Sequence, residues 1–197
     1  MRVGIFGGTF NPPHCGHVLL AEHAVRALML DLLYIIPAAD PPHKEVAQKV
    51  PAEHRLAMAR LAFEGVERAQ VSDLEIRRGG KSYTADTAEE LLRLHPGAQL
   101  YLLVGTDMLM NLPEWRRVEE LLKLCTIAAF QRETGDGEKL EAQARYLRER
   151  FGARVEIIRD SFLEVSSTWA RERLREGESR ELPQKVVDYI RKNNLYL

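Results

Sequence analysis

The chain has 197 residues, enough for one domain with a real core, and 28 Lys+Arg against 29 Asp+Glu leave a formal charge of -1. That balance excludes a general nucleic-acid or membrane-adsorbing surface. No apolar run approaches the roughly 20 residues that span a bilayer. Cys15 and Cys125 are too few and too far apart for a disulfide framework or a zinc site, so with no signal-peptide pattern at the start a cytosolic globular protein is expected.

The chain opens on an apolar strand, about Arg2 to Phe6, followed by a glycine-rich, proline-containing break. A helix is expected from near His17 to Leu30, with Val18, Ala21, Val25 and Leu28 on one face. Leu32 to Ile36 reads as a strand stopped by Pro37. Ala38 to Val50, rich in Pro, His and Lys and without period, reads as a functional loop. Pro51 suits the first position of a helix to about Phe63, with Leu56, Ala59 and Leu61 as core candidates. Gln70 to Leu74 is a strand candidate, and Glu75 to Lys81 has no assignable period.

A helix from Thr84 to Leu94 ends at His95-Pro96-Gly97. Leu100 to Val104, entirely apolar, reads as a central strand closed by Gly105-Thr106-Asp107. Short helical turns over Met108 to Leu122 lead to a strand at Thr126 to Phe130 and a polar loop to Gly137. A helix at Glu138 to Phe151, a strand at Val155 to Ile158 and helices near Thr168 to Glu176 and Pro183 to Asn193 follow. Strands alternating with helices predict βαβ units, hence an α/β, Rossmann-like doubly wound fold with a mainly parallel sheet and helices on both faces. A single domain over 1–197 is expected, with 166–197 as a helical C-terminal subregion.

The chemistry concentrates first at Gly4 to His17. A buried strand, a tight glycine turn and a helix start in immediate succession aim backbone N–H groups at one point, an arrangement suited to phosphate. Gly4-x-x-Gly7-Gly8 is not the dinucleotide fingerprint G-x-G-x-x-G, and no G-x-x-x-x-G-K-[ST] is present. His14 and His17, three residues apart at the helix start, present two imidazoles to one side. They can serve an anion, a metal or the core. A zinc site would need a third protein ligand, and none is spaced nearby. Far along the chain, Ser166, Ser167 and Thr168 stand where a helix begins, with Arg171 one turn in. These residues can gather an anion or simply cap the helix.

Gly4 to His17, with His14-Cys15-Gly16-His17 at its end, resembles the signature of the HxGH nucleotidyltransferases. Val165-Ser166-Ser167-Thr168-Trp169-Ala170-Arg171 resembles their second motif, I-S-S-T-x-x-R, with Val for Ile. Two signatures about 150 residues apart and in the right order are far more specific than either alone. Pro41-Pro42-His43-Lys44, Ser82-Tyr83-Thr84-Ala85-Asp86-Thr87, Gly105-Thr106-Asp107 and Leu112-x-x-Trp115 narrow the resemblance to the nicotinate mononucleotide adenylyltransferases of bacterial NAD synthesis.

That resemblance implies transfer of AMP from ATP to nicotinate mononucleotide, giving deamido-NAD and pyrophosphate. It assigns His14, His17, Lys44 and Arg171 to catalysis. ATP falls to Gly7, Gly8, Thr9, Phe10, His14, His17, Gly105, Asp107, Ser166, Ser167, Thr168 and Arg171. The acceptor falls to Lys44, Tyr83, Thr84, Thr87, Asp107, Trp115 and Arg132. An indole face at Trp115 suits an electron-poor pyridinium, and a flexible lysine at Lys44 suits a polyphosphate. Arg116 follows Trp115 where some relatives carry an aromatic residue. Mg2+ is expected as a cation held mainly by the ATP phosphates. The expected partners are small molecules, with no nucleic acid or membrane, and a homo-oligomer stays compatible with the sequence. Acceptors such as nicotinamide mononucleotide or phosphopantetheine, and a non-catalytic nucleotide-binding regulator, are the competing readings.

Overall fold

The structure, a computed structural model, describes residues 1–40, 50–131, 135–159 and 165–196. Its frame is a sheet built from β1 (Arg2–Gly8), β2 (Leu32–Pro37), β3 (Ala69–Val71), β4 (Gln99–Gly105), β5 (Cys125–Phe130) and β6 (Arg154–Ile158). The strand order among the described residues is β3-β2-β1-β4-β5-β6, and every neighbouring pair is parallel. The doubly wound parallel architecture expected from the alternating pattern is therefore present, with the apolar run 100–104 inside β4, one of its two middle strands.

Side chains alternate across the strands and divide the core into two halves. Leu33, Ile35, Phe6, Tyr101, Leu103, Ala128 and Phe130 face one side. There they pack against α1 (Cys15–Ala27), α2 (Ala52–Phe63), α8 (Ser167–Arg175) and α9 (Gln184–Lys192). Val3, Ile5, Tyr34, Ile36, Leu100, Leu102, Val104 and Ile127 face the other. Their partners are α3 (Leu74–Arg78), α4 (Thr84–Leu94), α5 (Thr106–Asn111), α6 (Val118–Leu124) and α7 (Gly137–Phe151). Each fully buried aliphatic side chain in these layers contributes about 1.5–3 kcal/mol. Gly4 is required by close approach: a Cβ there would lie 2.6 Å from Leu30 Cδ1 and 2.7 Å from Leu33 Cδ1.

Three local expectations need correction. β3 ends at Val71, and Leu74 opens the helix α3 instead of closing a strand. Ser72 N makes the last bond to β2, at Ile35 O, and Ser72 Oγ then accepts from Leu74 N at 3.3 Å and turns the chain. α1 begins at Cys15, earlier than expected, because its N-cap is His14 itself. In α2 the buried residues are Arg55, Met58, Ala59, Ala62 and Phe63, while Leu56 and Leu61 are half-buried. Among the described residues no helix is long and apolar enough to cross a membrane.

Candidate active site

α1 connects β1 to β2 on one side, while β4 lies on the other, so the strand order reverses between β1 and β4. In open parallel sheets the crevice beyond the strand C-termini at such a reversal is the natural ligand position. β1 ends there at Gly8 and β4 at Gly105. Both glycine-containing motifs singled out in the sequence thus arrive at the same edge of the sheet.

The turn after β1 is held from within. Phe10 has φ 49° and is 2% exposed, a conformation that costs a bulky residue about 1–3 kcal/mol. Its ring compensates by packing edge-on against Phe6, Phe63 and His17, with centroids 5.5, 5.7 and 5.1 Å away. A Cβ on Gly8 would meet that ring at 3.0 Å, whereas one on Gly7 would meet nothing within 4 Å. Phe10 is therefore a core side chain, and what it can offer ATP is its backbone.

Two buried arginines fix the carbonyls of this turn. Arg55, with no exposed surface, donates from Nη1 to Thr9 O at 2.8 Å, from Nη2 to Ala39 O at 3.2 Å and from Nε to Val50 O at 3.2 Å. Arg171 donates from Nη1 to Asn11 O at 2.6 Å and from Nη2 to Thr168 Oγ1 at 3.1 Å. In a trans peptide C=O and N–H point opposite ways, so a Thr9 carbonyl bound to Arg55 turns the next N–H toward the far side. Burial lowers the pKa of both guanidinium groups, a shift opposed by the neighbouring Tyr196, yet arginine keeps its charge.

At the start of α1 the rings of His14 and His17 stack, with centroids 3.6 Å apart and planes at 28°. His14 N donates to His17 Nδ1 at 3.2 Å. A neutral His17 that accepts at Nδ1 carries its hydrogen on Nε2, where it can donate to an anion. The first helical N–H, on Cys15, goes to Glu181 O at 2.8 Å.

The second motif docks onto the first. Ser167 Oγ donates to Pro12 O at 2.9 Å, and Ser166 Oγ caps α8 by accepting from Trp169 N at 3.1 Å. With Thr168 engaged by Arg171, an anion at this helix start meets hydroxyls that already have protein partners. The sequence reading anticipated the proximity of the motifs but not these bonds.

Beyond β4, Gly105 is the N-cap of α5 and Asp107 is exposed in its first turn. Thr106 Oγ1 donates to the buried Asp136 Oδ2 at 2.7 Å and so holds the strand end to α7's N-cap. A 3₁₀ turn at Leu112–Glu114 delivers Trp115, half-buried, with its N–H on Leu112 O at 3.0 Å. Arg116 lies over the ring of Tyr83, the N-cap of α4, 4.8 Å from its centroid. Arg117, at φ 59°, binds Asp86 at 2.6 Å, Glu89 at 2.5 Å and also Glu120, so α4 and α6 are clasped together two residues after Trp115.

Thr84, half-buried, opens α4. Thr87 stands apart from the other acceptor candidates. It is fully buried, donates to Glu75 Oε1 at 2.7 Å and accepts from Arg78 Nη2 at 2.8 Å, so its part is to hold α4 rather than to touch a ligand. Burial raises the pKa of the Glu75 carboxyl, and hydrogen bonds from Thr87 and Ser82 oppose that shift. Lys44 and Arg132 lie outside the described residues. Arg55 escaped the sequence reading because arginine is seldom a core residue. Its spacing of three and four from Met58 and Ala59 is the signal that places it on the buried face.

Residues 5–173 match the cytidylyltransferase-like family. The chain is 41% identical over 201 residues to a probable nicotinate-nucleotide adenylyltransferase of Gemmatimonas aurantiaca, covering 100% of this chain and 92% of that one. It is also 41% identical over 199 residues to a probable nicotinate-nucleotide adenylyltransferase of Synechococcus sp. (strain JA-3-3Ab), covering 100% and 95%. Among solved structures its fold is similar to that of Plasmodium falciparum nicotinic acid mononucleotide adenylyltransferase complexed with NaAD, with a TM-score of 0.78, 19% identity and coverage of 99% and 97%. With both motifs assembled at one sheet edge and similarity over its full length, the chain belongs to the cytidylyltransferase-like family, among its nicotinate-nucleotide adenylyltransferases.

Proposed function

We propose that this protein transfers AMP from ATP to nicotinate mononucleotide, releasing pyrophosphate and forming deamido-NAD in NAD biosynthesis. The observation that carries the reading is the docking of the two phosphate motifs on each other, through Arg171 Nη1 to Asn11 O at 2.6 Å and Ser167 Oγ to Pro12 O at 2.9 Å. The reading is supported by relatives 41% identical over the whole chain that bear this activity in their names.

In this reading the phosphate of the mononucleotide attacks the α-phosphorus of ATP in line. The P–O bond to the β-phosphate breaks and pyrophosphate leaves. A phosphate monoester is a sufficient nucleophile near neutral pH, so the protein contributes position and charge neutralisation rather than a nucleophile of its own. His17 Nε2–H and His14 would donate to α- and β-phosphate oxygens, beside the backbone of Gly7, Gly8, Thr9 and Phe10. Arg171, Ser166, Ser167 and Thr168 would meet the outer phosphates, with Lys44 and Arg132 adding charge. Gly105 and Asp107 would take a ribose hydroxyl. Trp115 would stack on the pyridine ring and the Tyr83–Thr84 helix start would face its carboxylate.

Mg2+, when bound, supplies charge compensation on the triphosphate. The side chains described at the site are imidazoles, hydroxyls and guanidinium groups, with Asp107 as a single carboxylate. Among the described residues no cluster of three or more His, Cys, Asp or Glu could hold a metal. The donor set thus fits a cation carried by phosphates and water. A homo-oligomer stays compatible with this reading. A reaction that draws on ATP supports the cytoplasm as its compartment.

The test is pyrophosphate release from ATP with nicotinate mononucleotide, nicotinamide mononucleotide and phosphopantetheine offered in turn. Release fastest with nicotinate mononucleotide is expected. A higher kcat/KM for either rival would reassign the acceptor, and no release with any would leave a nucleotide-binding regulator.

A further inference from the structure

Asn11 is a junction for distant parts of the chain. Its Oδ1 accepts from the Tyr196 hydroxyl at 2.7 Å and from Val50 N at 3.3 Å, while its carbonyl accepts from Arg171 Nη1 at 2.6 Å. All of this is shielded: Asn11 is 2% exposed, Tyr196 8% and Arg171 9%. Val50 is in turn held at its carbonyl by Arg55 Nε, and Arg55 Nη1 holds Thr9 O. The circuit thus joins the turn after β1, Val50 ahead of α2, the Arg171 motif and the segment after α9.

We propose that Tyr196 is a positioning residue for ATP. Acting through Asn11, its hydroxyl sets the orientation of the phosphate-facing turn and of Arg171, from a segment that itself carries no phosphate ligand. The proposal rests on the reading that this turn holds ATP.

Three observations support it. An amide oxygen has two lone pairs, and the two donors on Asn11 Oδ1 fill both, which leaves the side chain one orientation. Tyr196 sits at φ 65° and Asn194 at φ 50°, so the chain after α9 adopts left-handed conformations that non-glycine residues rarely take. A bulky residue persists there where the surroundings hold it, and here the ring packs in the α1–α9 side of the core while the hydroxyl reaches Asn11. Burial also pushes the Tyr196 phenol up, against the pull of Arg171 and Arg55, which keeps it a donor at any physiological pH.

A control lies close by. Tyr189 of α9 hydrogen-bonds His54 Nδ1 at 2.9 Å, a half-buried contact of similar length that does not reach the turn. Tyr196→Phe and Tyr189→Phe each remove one hydroxyl and keep the ring. In the full chain, Tyr196→Phe should raise both the KM and the calorimetric Kd for ATP about fivefold to tenfold, with the KM for nicotinate mononucleotide within about twofold. Tyr189→Phe should leave both ATP constants within about twofold. In an Asn11→Ala background the effect of Tyr196→Phe on ATP should vanish, since the intermediary is gone.

An unchanged ATP constant in Tyr196→Phe overturns the proposal. So does an equal shift in both substrates' KM, or a shift that persists in full on top of Asn11→Ala. Asn11→Ala removes the same bond from its other end, so a normal Kd for ATP in that variant overturns the proposal even where Tyr196→Phe does not fold. ATP binding alone is read without an acceptor, so a wild-type chain that turns over no mononucleotide ends the functional reading while this test still stands.

Discussion

The two halves of the site are held in place by different forces. On the α1–α9 side, buried arginines donate to backbone carbonyls: Arg55 to Thr9, Ala39 and Val50, and Arg171 to Asn11. On the α3–α7 side, the segment carrying Trp115 is clasped by ion pairs near the surface. The Arg117 side chain is 33% exposed and those of Asp86, Glu89 and Glu120 37%, 39% and 52%. A buried donor has no competing water and leaves a costly orphan when removed. A half-exposed ion pair is hydrated, screened by salt and readily remade. The half proposed to hold the triphosphate is therefore fixed by buried bonds, and the half proposed to hold the acceptor has room to adjust.

The largest effect that tests this contrast is on stability. Arg55→Ala leaves the carbonyls of three half-buried residues without their fully buried donor and should cost about 3–5 kcal/mol. The loss would be read as a lower urea midpoint at unchanged slope, and a loss below about 1 kcal/mol would mean water replaces the guanidinium easily. Next comes His17→Ala. Loss of one donor to the reacting phosphates should lower kcat about 10²–10³-fold while thermal unfolding stays within a few degrees. Near-normal turnover would remove His17 from its assigned role.

Trp115→Ala sharpens the division by substrate. Loss of a stacking face should raise the KM for nicotinate mononucleotide about tenfold with the KM for ATP unmoved. A parallel rise in both would place Trp115 outside the acceptor half. The smallest effect concerns the clasp itself. Raising NaCl to about 0.5 M should weaken mononucleotide binding twofold to threefold more in wild type than in Arg117→Ala, because that variant has already lost the screened pairs. Equal salt sensitivity in the two proteins would show that Arg117 does not position the acceptor side.

The legible and illegible features separate by range of interaction. Strand and helix identities come from local periodicity, so β4 and α4 match their expected spans within a residue at each end. The two motifs are legible because each is a contiguous run whose residue types suit phosphate. α3 is different: a five-residue helix is too short to show a period, and it forms where Ser72 turns the chain off the last ladder bond. Arg55 shows no role in the sequence, because the carbonyls of Thr9, Ala39 and Val50 come together around it only in the fold. Thr87 belongs to a substrate-like segment, yet α4 turns it inward to Glu75.

By itself the sequence determined the class of fold, the presence of the two family signatures and the residue types that suit them to phosphate. All of these depend on residue type at short spacing. Tertiary structure alone decided what holds them. Asn11 and Tyr196 stand 185 residues apart, and Asn11 and Arg171 160 apart, with no local pattern to announce either contact. Buried hydrogen bonds of this kind draw their strength from exclusion of water, and that exclusion exists only once the sheet has brought the segments together.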